Sequence, residues 1–274
     1  MPESDGAGEE PARARSGGRR RRAPPEIRLT LLGGFALHQG GEARRVPLGA
    51  QRLVALLAVH GGGLHRADAA LLLAPHLGSE SASRSLRTAL SRLNASGPGV
   101  VERSGATLRL AARVSVDARE VMRIAAGLAG RLEEPPGAVD ISLLTRTLLP
   151  GWSEDWVQME RHRLRDRSLL ALETHARRLA ERGELDAALE AVHAALRADP
   201  LRESAALVLI EIHLSQANAG AARSAYLAFR ERSVRELDLE PSEELQDLVR
   251  PLVPRRAGLR GPRIRRRPRW RWVE

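Results

Sequence analysis

The stretch that most constrains the fold is 81–94, SASRSLRTALSRLN, because its apolar residues recur at the spacing of an amphipathic helix. Those apolar residues share one stripe: Ala82, Leu86, Ala89, Leu90 and Leu93. The opposite stripe holds Arg84, Arg87, Thr88 and Ser91 at i, i+3, i+4 and i+7, with Arg92 at its edge. The pattern predicts a helix over Ser81–Asn94 with an aliphatic back to bury. Its front carries guanidinium and hydroxyl groups and no acidic residue.

A helix front of this kind suits the phosphates of DNA and the acceptor-rich major-groove edge of guanine. The alternative is a solvated face that binds nothing, since an isolated arginine stripe is common on exposed helices. The segments on either side of this helix favour the DNA interpretation.

Short strands and helices surround the helix at 81–94. Glycine pairs divide the chain after Glu26 into a small antiparallel meander with strands at Ile27–Leu32, Phe35–His38 and near Arg44–Val46. Two helices are predicted next, at Gly49–His60 and His65–Leu73. A β-hairpin follows Asn94, with Ser104-Gly105 predicted at its tip.

Strands, three helices and a hairpin in this order are typical of a winged helix. Its third helix enters the major groove, and the hairpin tip lies against the DNA backbone or the minor groove. The expected recognition surface is Arg84, Arg87, Thr88, Ser91 and Arg92. Arg103 and Ser104 stand at the predicted tip, and Arg52 and Arg66 are further candidates for phosphate contacts.

From residue 114 to residue 250 the chain is predicted to be helical, with helices at Val116–Leu128, Ser142–Leu148 and Val157–Arg182. Trp152 and Trp156, at i and i+4, are expected to anchor the core, with ligand stacking as the alternative. An offset of 34 residues aligns Gly183 with Ala217, Ala188 with Ala222, Val192 with Tyr226, and Ala195 with Phe229. This offset indicates a tetratricopeptide-like array, which binds partners through a groove or serves only structure or dimerisation.

Charge is unevenly distributed along the 274 residues. Residues 26–113 hold 11 arginines and 5 acidic residues, whereas residues 114–250 hold 18 arginines and 24 acidic residues. This difference favours a polyanion as the partner of the first part alone. The termini, 1–25 and 251–274, lack apolar periodicity and are expected to be a disordered Arg-rich arm and a disordered basic tail. Phosphate binding, a membrane surface, an acidic partner and no dedicated role all stay open for them.

The residue types present exclude several classes of function. Without cysteine there are no disulfides, thiolate metal sites or thiol nucleophiles. No Walker loop, His-Glu-x-x-His or Gly-x-Ser-x-Gly motif occurs, and the eight histidines lack paired ligand spacing. We therefore expect no catalysis, no cofactor and no metal. Without a secretory signal or a transmembrane run, a cytoplasmic, nucleoid-associated protein is expected.

Two sets of stretches resemble known domains. Over 26–113, the stretches LLGGFAL, QRLVALLAVHGG, SLRTALSRL and VERSGATLRLA resemble the winged-helix DNA-binding domain of the OmpR type. Over 114–250, other stretches resemble the bacterial transcriptional activator domain: VSVDARE, LLPGWSEDWV, ERHRLR, ADPLRESAALVLIEIHL and LEPSEEL. In this order they are similar to the SARP family, the Streptomyces antibiotic regulatory proteins. The chain departs from the family at Ala74, where a Trp is usual, and in a less acidic link at His76–Glu80.

The resemblance implies a mainly α protein, with an N-terminal winged helix-turn-helix and an all-α tetratricopeptide-like domain behind it. It implies a transcriptional activator that binds double-stranded DNA at direct repeats near promoters, with a homodimer on tandem repeats as one arrangement. It also implies recruitment of RNA polymerase, often at antibiotic gene clusters. The alternative is a helical-repeat interaction module whose winged helix binds protein rather than DNA.

Overall fold

The computed structural model describes residues 26–97, 99–130 and 140–252. The chain is mainly helical, with a small N-terminal α+β part followed by helices, which confirms the predicted fold class. The expected arm at 1–25 and nearly all of the expected tail at 251–274 lie outside the described residues. No helix among the described residues is long and apolar enough to cross a lipid bilayer.

The first sheet has the strand order β3-β2-β1-β7, with β1 at Ile27–Thr30, β2 at Ala36–Gln39, β3 at Glu42–Ala43 and β7 at Val114–Val116. Strands β1 to β3 are antiparallel, as predicted, whereas β7 pairs parallel to β1. The third strand, predicted near Arg44–Val46, lies slightly earlier and ends at Ala43. Gly40 and Gly41 have φ values of 61° and 85°, so the chain reverses within two residues and pairs Gln39 with Glu42.

Three helices and a second sheet complete the winged helix. The helices are α1 at Leu48–His60, α2 at Arg66–Leu73 and α3 at Ser79–Ser96. The second sheet has the order β4-β6-β5, with β4 at Leu64–His65, β5 at Val101–Ser104 and β6 at Thr107–Leu110. Because Ser104 pairs with Thr107, the hairpin turn is Gly105-Ala106 rather than the predicted Ser104-Gly105.

The remaining elements are helical. They are α4 at Asp117–Leu128, a 3-10 helix at Ile141–Thr145, α5 at Asp155–Glu181, α6 at Leu185–Ala198, α7 at Glu203–Ser215, α8 at Ala219–Leu237 and α9 at Glu243–Val249. The predicted helix at Ser142–Leu148 is wrong beyond Thr145, because Leu148 leaves the helix and forms an antiparallel bridge with Leu32.

The predicted 34-residue offset appears in the structure as two successive helix pairs, α5–α6 and α7–α8. Gly183 and Ala217, with φ values of 78° and 55°, occupy the turn within each pair. Ala188 and Ala222 are fully buried at the equivalent place in the second helix of each pair. Small side chains there let the antiparallel helices approach closely.

The winged helix and the helical half share one hydrophobic core. Beside the bridge between Leu32 and Leu148, the Leu149 N–H donates to the Leu31 carbonyl at 2.8 Å. The Asp117 carboxylate, at the start of α4, accepts hydrogen bonds from the Leu31 and Leu32 N–H groups at 2.8 and 3.0 Å. Backbone hydrogen bonds as well as side chains therefore join the two halves.

Aromatic side chains cross the same junction. Phe35, from the turn before β2, stacks on Trp152 with ring centroids 6.3 Å apart, and Trp152 meets Trp156 edge-on at 6.4 Å. Trp156 is buried and Trp152 packs against the shared core. Both tryptophans are core anchors, as the sequence predicts.

Candidate nucleic-acid interface

Helix α3 buries its apolar stripe and exposes its polar stripe. The apolar residues are at most 6% exposed and pack towards α1 and α2: Ala82, Leu86, Ala89, Leu90 and Leu93. All five polar candidates are exposed: Arg84, Arg87, Thr88, Ser91 and Arg92. At about 100° per residue they cover roughly 140° of the helix circumference, with Arg87 and Arg92 at the two edges.

The guanidinium groups of α3 differ in whether a carboxylate neutralises them. Helix α3 begins two residues earlier than predicted and includes Glu80, so the prediction of a front without acidic residues is wrong. Glu80 pairs with Arg84 at 3.3 Å, but both side chains are well exposed and water screens the pair. Arg87 and Arg92 have neither an ion pair nor a side-chain hydrogen bond among the described residues. No carboxylate of the described residues thus competes with an external anion for these two groups.

The two hydroxyl candidates also differ. The Thr88 hydroxyl donates to the Arg84 carbonyl at 3.1 Å, one turn back on the helix. Its proton is thus used within α3, and its oxygen remains as an acceptor on the surface. Ser91 is exposed, and its hydroxyl has no partner among the described residues.

Two open grooves flank α3. One, of about 600 Å³, lies between α3, the start of α2 and the hairpin turn, and it is bordered by Arg66 and Arg87. The other, of about 540 Å³, lies between α3 and the start of α1, and it is bordered by Arg84, Thr88 and Arg92. The α3 arginines therefore face both grooves, so cations line each side of the helix.

The β5–β6 hairpin stands beside the first groove. Arg103 and Ser104 are exposed at the end of β5, and Arg103 has no ion pair among the described residues. Arg103 pairs in register with Leu108, so both side chains leave the same face of the hairpin. Arg109 lies on the opposite face, where its guanidinium meets the Glu102 carboxylate at 3.0 Å. Arg103 therefore has no carboxylate partner in the part of the chain that the structure describes, whereas Arg109 has one.

The hairpin turn is attached directly to the start of α2. The Arg66 N–H donates to the Ala106 carbonyl at 2.8 Å, and the His65 ring accepts from the Ala67 N–H at 3.3 Å. Gly63, with φ of 95°, precedes β4, and a Cβ there would come within 3.0 Å of the Leu108 carbonyl oxygen. Glycine is required where β4 approaches β6 so closely.

Arg52 does not join this surface. Its guanidinium forms an ion pair with Glu154, the residue immediately before α5 in the helical half. The Glu154 side chain is only 20% exposed, so the pair belongs to the junction between the halves. Phosphate contact by Arg52 stays a prediction, and its pairing with Glu154 counts against it.

Sequence reasoning missed three polar side chains that border the two grooves, Ser81 and Ser85 on α3 and His65 before α2. Ser81 and Ser85 border the groove that also holds Arg84 and Arg92, and their own i, i+4 spacing is the signal that points to them. His65 lies on the other groove, and only the position of the hairpin turn reveals it. No group of three or more His, Asp or Glu side chains in the described residues is arranged to hold a metal ion.

Comparison with protein families identifies a domain in the second half of the chain. Residues 144–252 match the family model of the bacterial transcriptional activator domain. No curated protein matches the sequence significantly.

Among solved structures, the chain is similar to Mycobacterium tuberculosis EmbR, determined in complex with a low-affinity phosphopeptide, with a TM-score of 0.63 and 17% identity. The similarity covers 83% of this chain, and this chain spans 65% of the length of the EmbR chain. At this identity the likeness is one of fold. Residues 144–252 are therefore a bacterial transcriptional activator domain, in a chain whose fold is similar to that of EmbR.

Proposed function

We propose that this regulator binds double-stranded DNA in a sequence-specific manner, with α3 in the major groove and the β5–β6 hairpin against the backbone. Arg84, Arg87, Thr88, Ser91 and Arg92 are the proposed base-reading and groove-contacting residues. Arg66, Arg103 and Ser104 are the proposed phosphate contacts. Bidentate contact of an arginine with guanine O6 and N7 contributes about 1–3 kcal/mol of discrimination.

The observation that carries this proposal is that two arginines of α3 have no carboxylate partner among the described residues whereas the third, Arg84, has one. Arg87 and Arg92 are exposed, lack a carboxylate partner in the described part of the chain and lie at opposite edges of one helix face. The apolar back of the same helix is buried, so the face is held rigidly. Arg103 adds a third free guanidinium on the neighbouring hairpin. Such an arrangement fits a polyanion better than a neutral protein surface.

The helical half is proposed to make the protein contacts of activation. Residues 114–250 carry an excess of acidic residues, which disfavours DNA as their partner. We propose that they contact RNA polymerase or pack copies of the chain on direct repeats near the promoter of a secondary-metabolite gene cluster.

Selection of bound fragments from the host genome by the full chain tests the DNA proposal. We expect enrichment of fragments that share a direct repeat, with footprints spaced by whole turns of the duplex. Enrichment independent of sequence, or no retention at moderate salt in the presence of competitor DNA, contradicts the proposal. The second of these outcomes supports the alternative in which the winged helix binds protein.

Removal of 1–25 and 253–274 separates this proposal from binding through the arginine-rich termini. The shortened chain is expected to keep the same footprint, with reduced affinity for all sequences. Loss of the footprint together with all binding favours the termini, and with them RNA or a membrane surface as the ligand.

A further inference from the structure

A cavity of about 370 Å³ opens at the first residues of the activator domain, between the segment 144–148, the middle of α5 and the end of α6. Its polar wall is cationic, since Arg146, Arg161, His162 and Arg165 line it and no Asp or Glu among the described residues does. Leucines, including the buried Leu148 and Leu164, form most of the rest of its lining, together with Thr145, Thr147 and Ala198. Its volume is that of a small organic ligand.

Arg161 brings a positive charge that no carboxylate in the described residues neutralises. Its half-buried guanidinium donates to the carbonyls of Leu148, Leu149 and Trp152 at 2.9, 2.6 and 3.2 Å, and to the Gln158 side-chain oxygen at 2.8 Å. All four acceptors are neutral. These bonds fix the orientation of the group, and the uncompensated charge favours an anion beside it.

The two other arginines add to this excess of positive charge. Arg146 is exposed, and its guanidinium has neither an ion pair nor a hydrogen bond within the described part of the chain. Arg165 donates to the Ala198 carbonyl at 2.8 Å and lies 3.5 Å from the Asp199 carboxylate. The Asp140 carboxylate also interacts electrostatically with Arg146, so two carboxylates face three guanidinium groups and an excess of positive charge remains around the cavity.

We infer that this cavity binds a small amphipathic anion, a carboxylate or phosphate ester on a short aliphatic body. The anionic head lies between Arg146 and Arg161, and the body contacts Leu148 and Leu164. Charge-assisted hydrogen bonds to arginine give the head its specificity, and burial of the body adds affinity. The inference does not depend on DNA binding.

The position of the cavity gives an occupant access to the junction between the two halves. Leu148, on its wall, is also the residue that bridges Leu32 beside β1. A ligand that contacts Leu148 thus contacts the segment through which the activator domain is attached to the winged helix.

Calorimetric titration of the full chain with octanoate tests the inference, with octan-1-ol as the neutral ligand of equal chain length. We expect saturable one-to-one binding of octanoate and at least about tenfold weaker binding of octan-1-ol, since charge-assisted hydrogen bonds are the strong ones. Arg146→Gln is expected to weaken octanoate binding about fivefold or more. Arg167→Gln, an exposed residue of α5 outside the cavity lining, is the matched control and should leave the affinity unchanged.

Equal affinity for octanoate and octan-1-ol overturns the inference, because the cationic wall would then have no role. An unchanged affinity in Arg146→Gln, or an equal loss in Arg167→Gln, overturns it as well. Arg146 is exposed, so its substitution does not disturb the core, and an unchanged melting curve verifies this.

Discussion

The protein has no lysine, so apart from histidine its basic side chains are all arginines, and they differ in what each guanidinium contacts. Arg119 donates to the Leu57 and Ala58 carbonyls of α1, and burial lowers its pKa. Arg52 is held by Glu154 at the same junction. These two arginines are tied to the junction, whereas Arg87 and Arg92 of α3 and Arg103 of the hairpin have no carboxylate partner among the described residues.

Arg87 is the residue whose substitution best tests base reading. Arg87→Ala is expected to cost about 1–3 kcal/mol at the preferred site and to relax sequence preference. Arg87→Lys keeps the charge but loses the planar bidentate geometry, so we expect it to lose the preference while keeping most of the salt dependence. Gel shifts on the preferred and a mutated site measure both effects. An unchanged preference in both variants removes Arg87 from the recognition surface.

Arg103 and Arg109 form a matched pair on one hairpin. Arg103→Ala is expected to weaken binding to all DNA sequences and to reduce the slope of log affinity against log salt by about one. Arg109→Ala should change the slope much less, since Glu102 already neutralises Arg109. Affinity measured at several salt concentrations checks this. Equal slopes for the two variants would show that the hairpin does not contact phosphates through Arg103.

At the scale of elements, the hairpin depends on the close approach of β4 and β6. Gly63→Ala places a Cβ against the Leu108 carbonyl at a φ of 95°, and it should destabilise the protein by about 1 kcal/mol or more. Gly62→Ala is the control, because Gly62 has ordinary backbone angles and a Cβ there meets only the His60 carbonyl, at 4.0 Å. Urea unfolding compares the two variants. Equal midpoints would mean that β4 can shift away from β6 at no cost.

The helix pairs of the second half are joined at equivalent places. Arg177 on α5 and Glu211 on α7 are 34 residues apart in the sequence, and their charged groups meet at 3.2 Å. The repeat spacing thus brings an arginine of one pair onto a carboxylate of the next. Both side chains are more than 40% exposed, so this pair contributes orientation more than stability.

At the scale of the whole molecule, three histidines make stability depend on pH. Burial is the main cause that lowers the pKa of His175, His193 and His213, on α5, α6 and α7. The unfolded chain binds these protons at a higher pH than the folded chain, so stability is complete above about pH 6.5 and falls as the pH drops below it.

We therefore expect a lower melting temperature at pH 5.5 than at pH 7.5. His193→Gln should reduce this difference, whereas substitution of the exposed His76 to Gln should leave it unchanged. A melting temperature that is constant between the two pH values contradicts the expectation. The pKa of the Glu240 carboxylate is lowered, mainly by its hydrogen bond with Arg230. Protonation of this group therefore affects stability only at a pH below the measured range.

The helices could be predicted because their signals are local. The burial of α3 follows from a 3.6-residue period, and the buried residues are those that this period selects. The ends of elements were harder to predict from the sequence. The positions of β3 and of the hairpin turn depend on which residues pair across the strands. Glu80 escaped prediction because propensity alone does not decide where a helix without a side-chain cap begins.

By itself, the sequence determined the helical faces, the winged-helix order and the 34-residue repeat, since each depends on neighbours within a few turns of chain. Only the tertiary structure decided which arginines are free. Arg52 meets a carboxylate more than a hundred residues away, and the Leu31 N–H meets Asp117 across 86 residues. Contacts over such separations depend on how whole elements pack, and no local period encodes them.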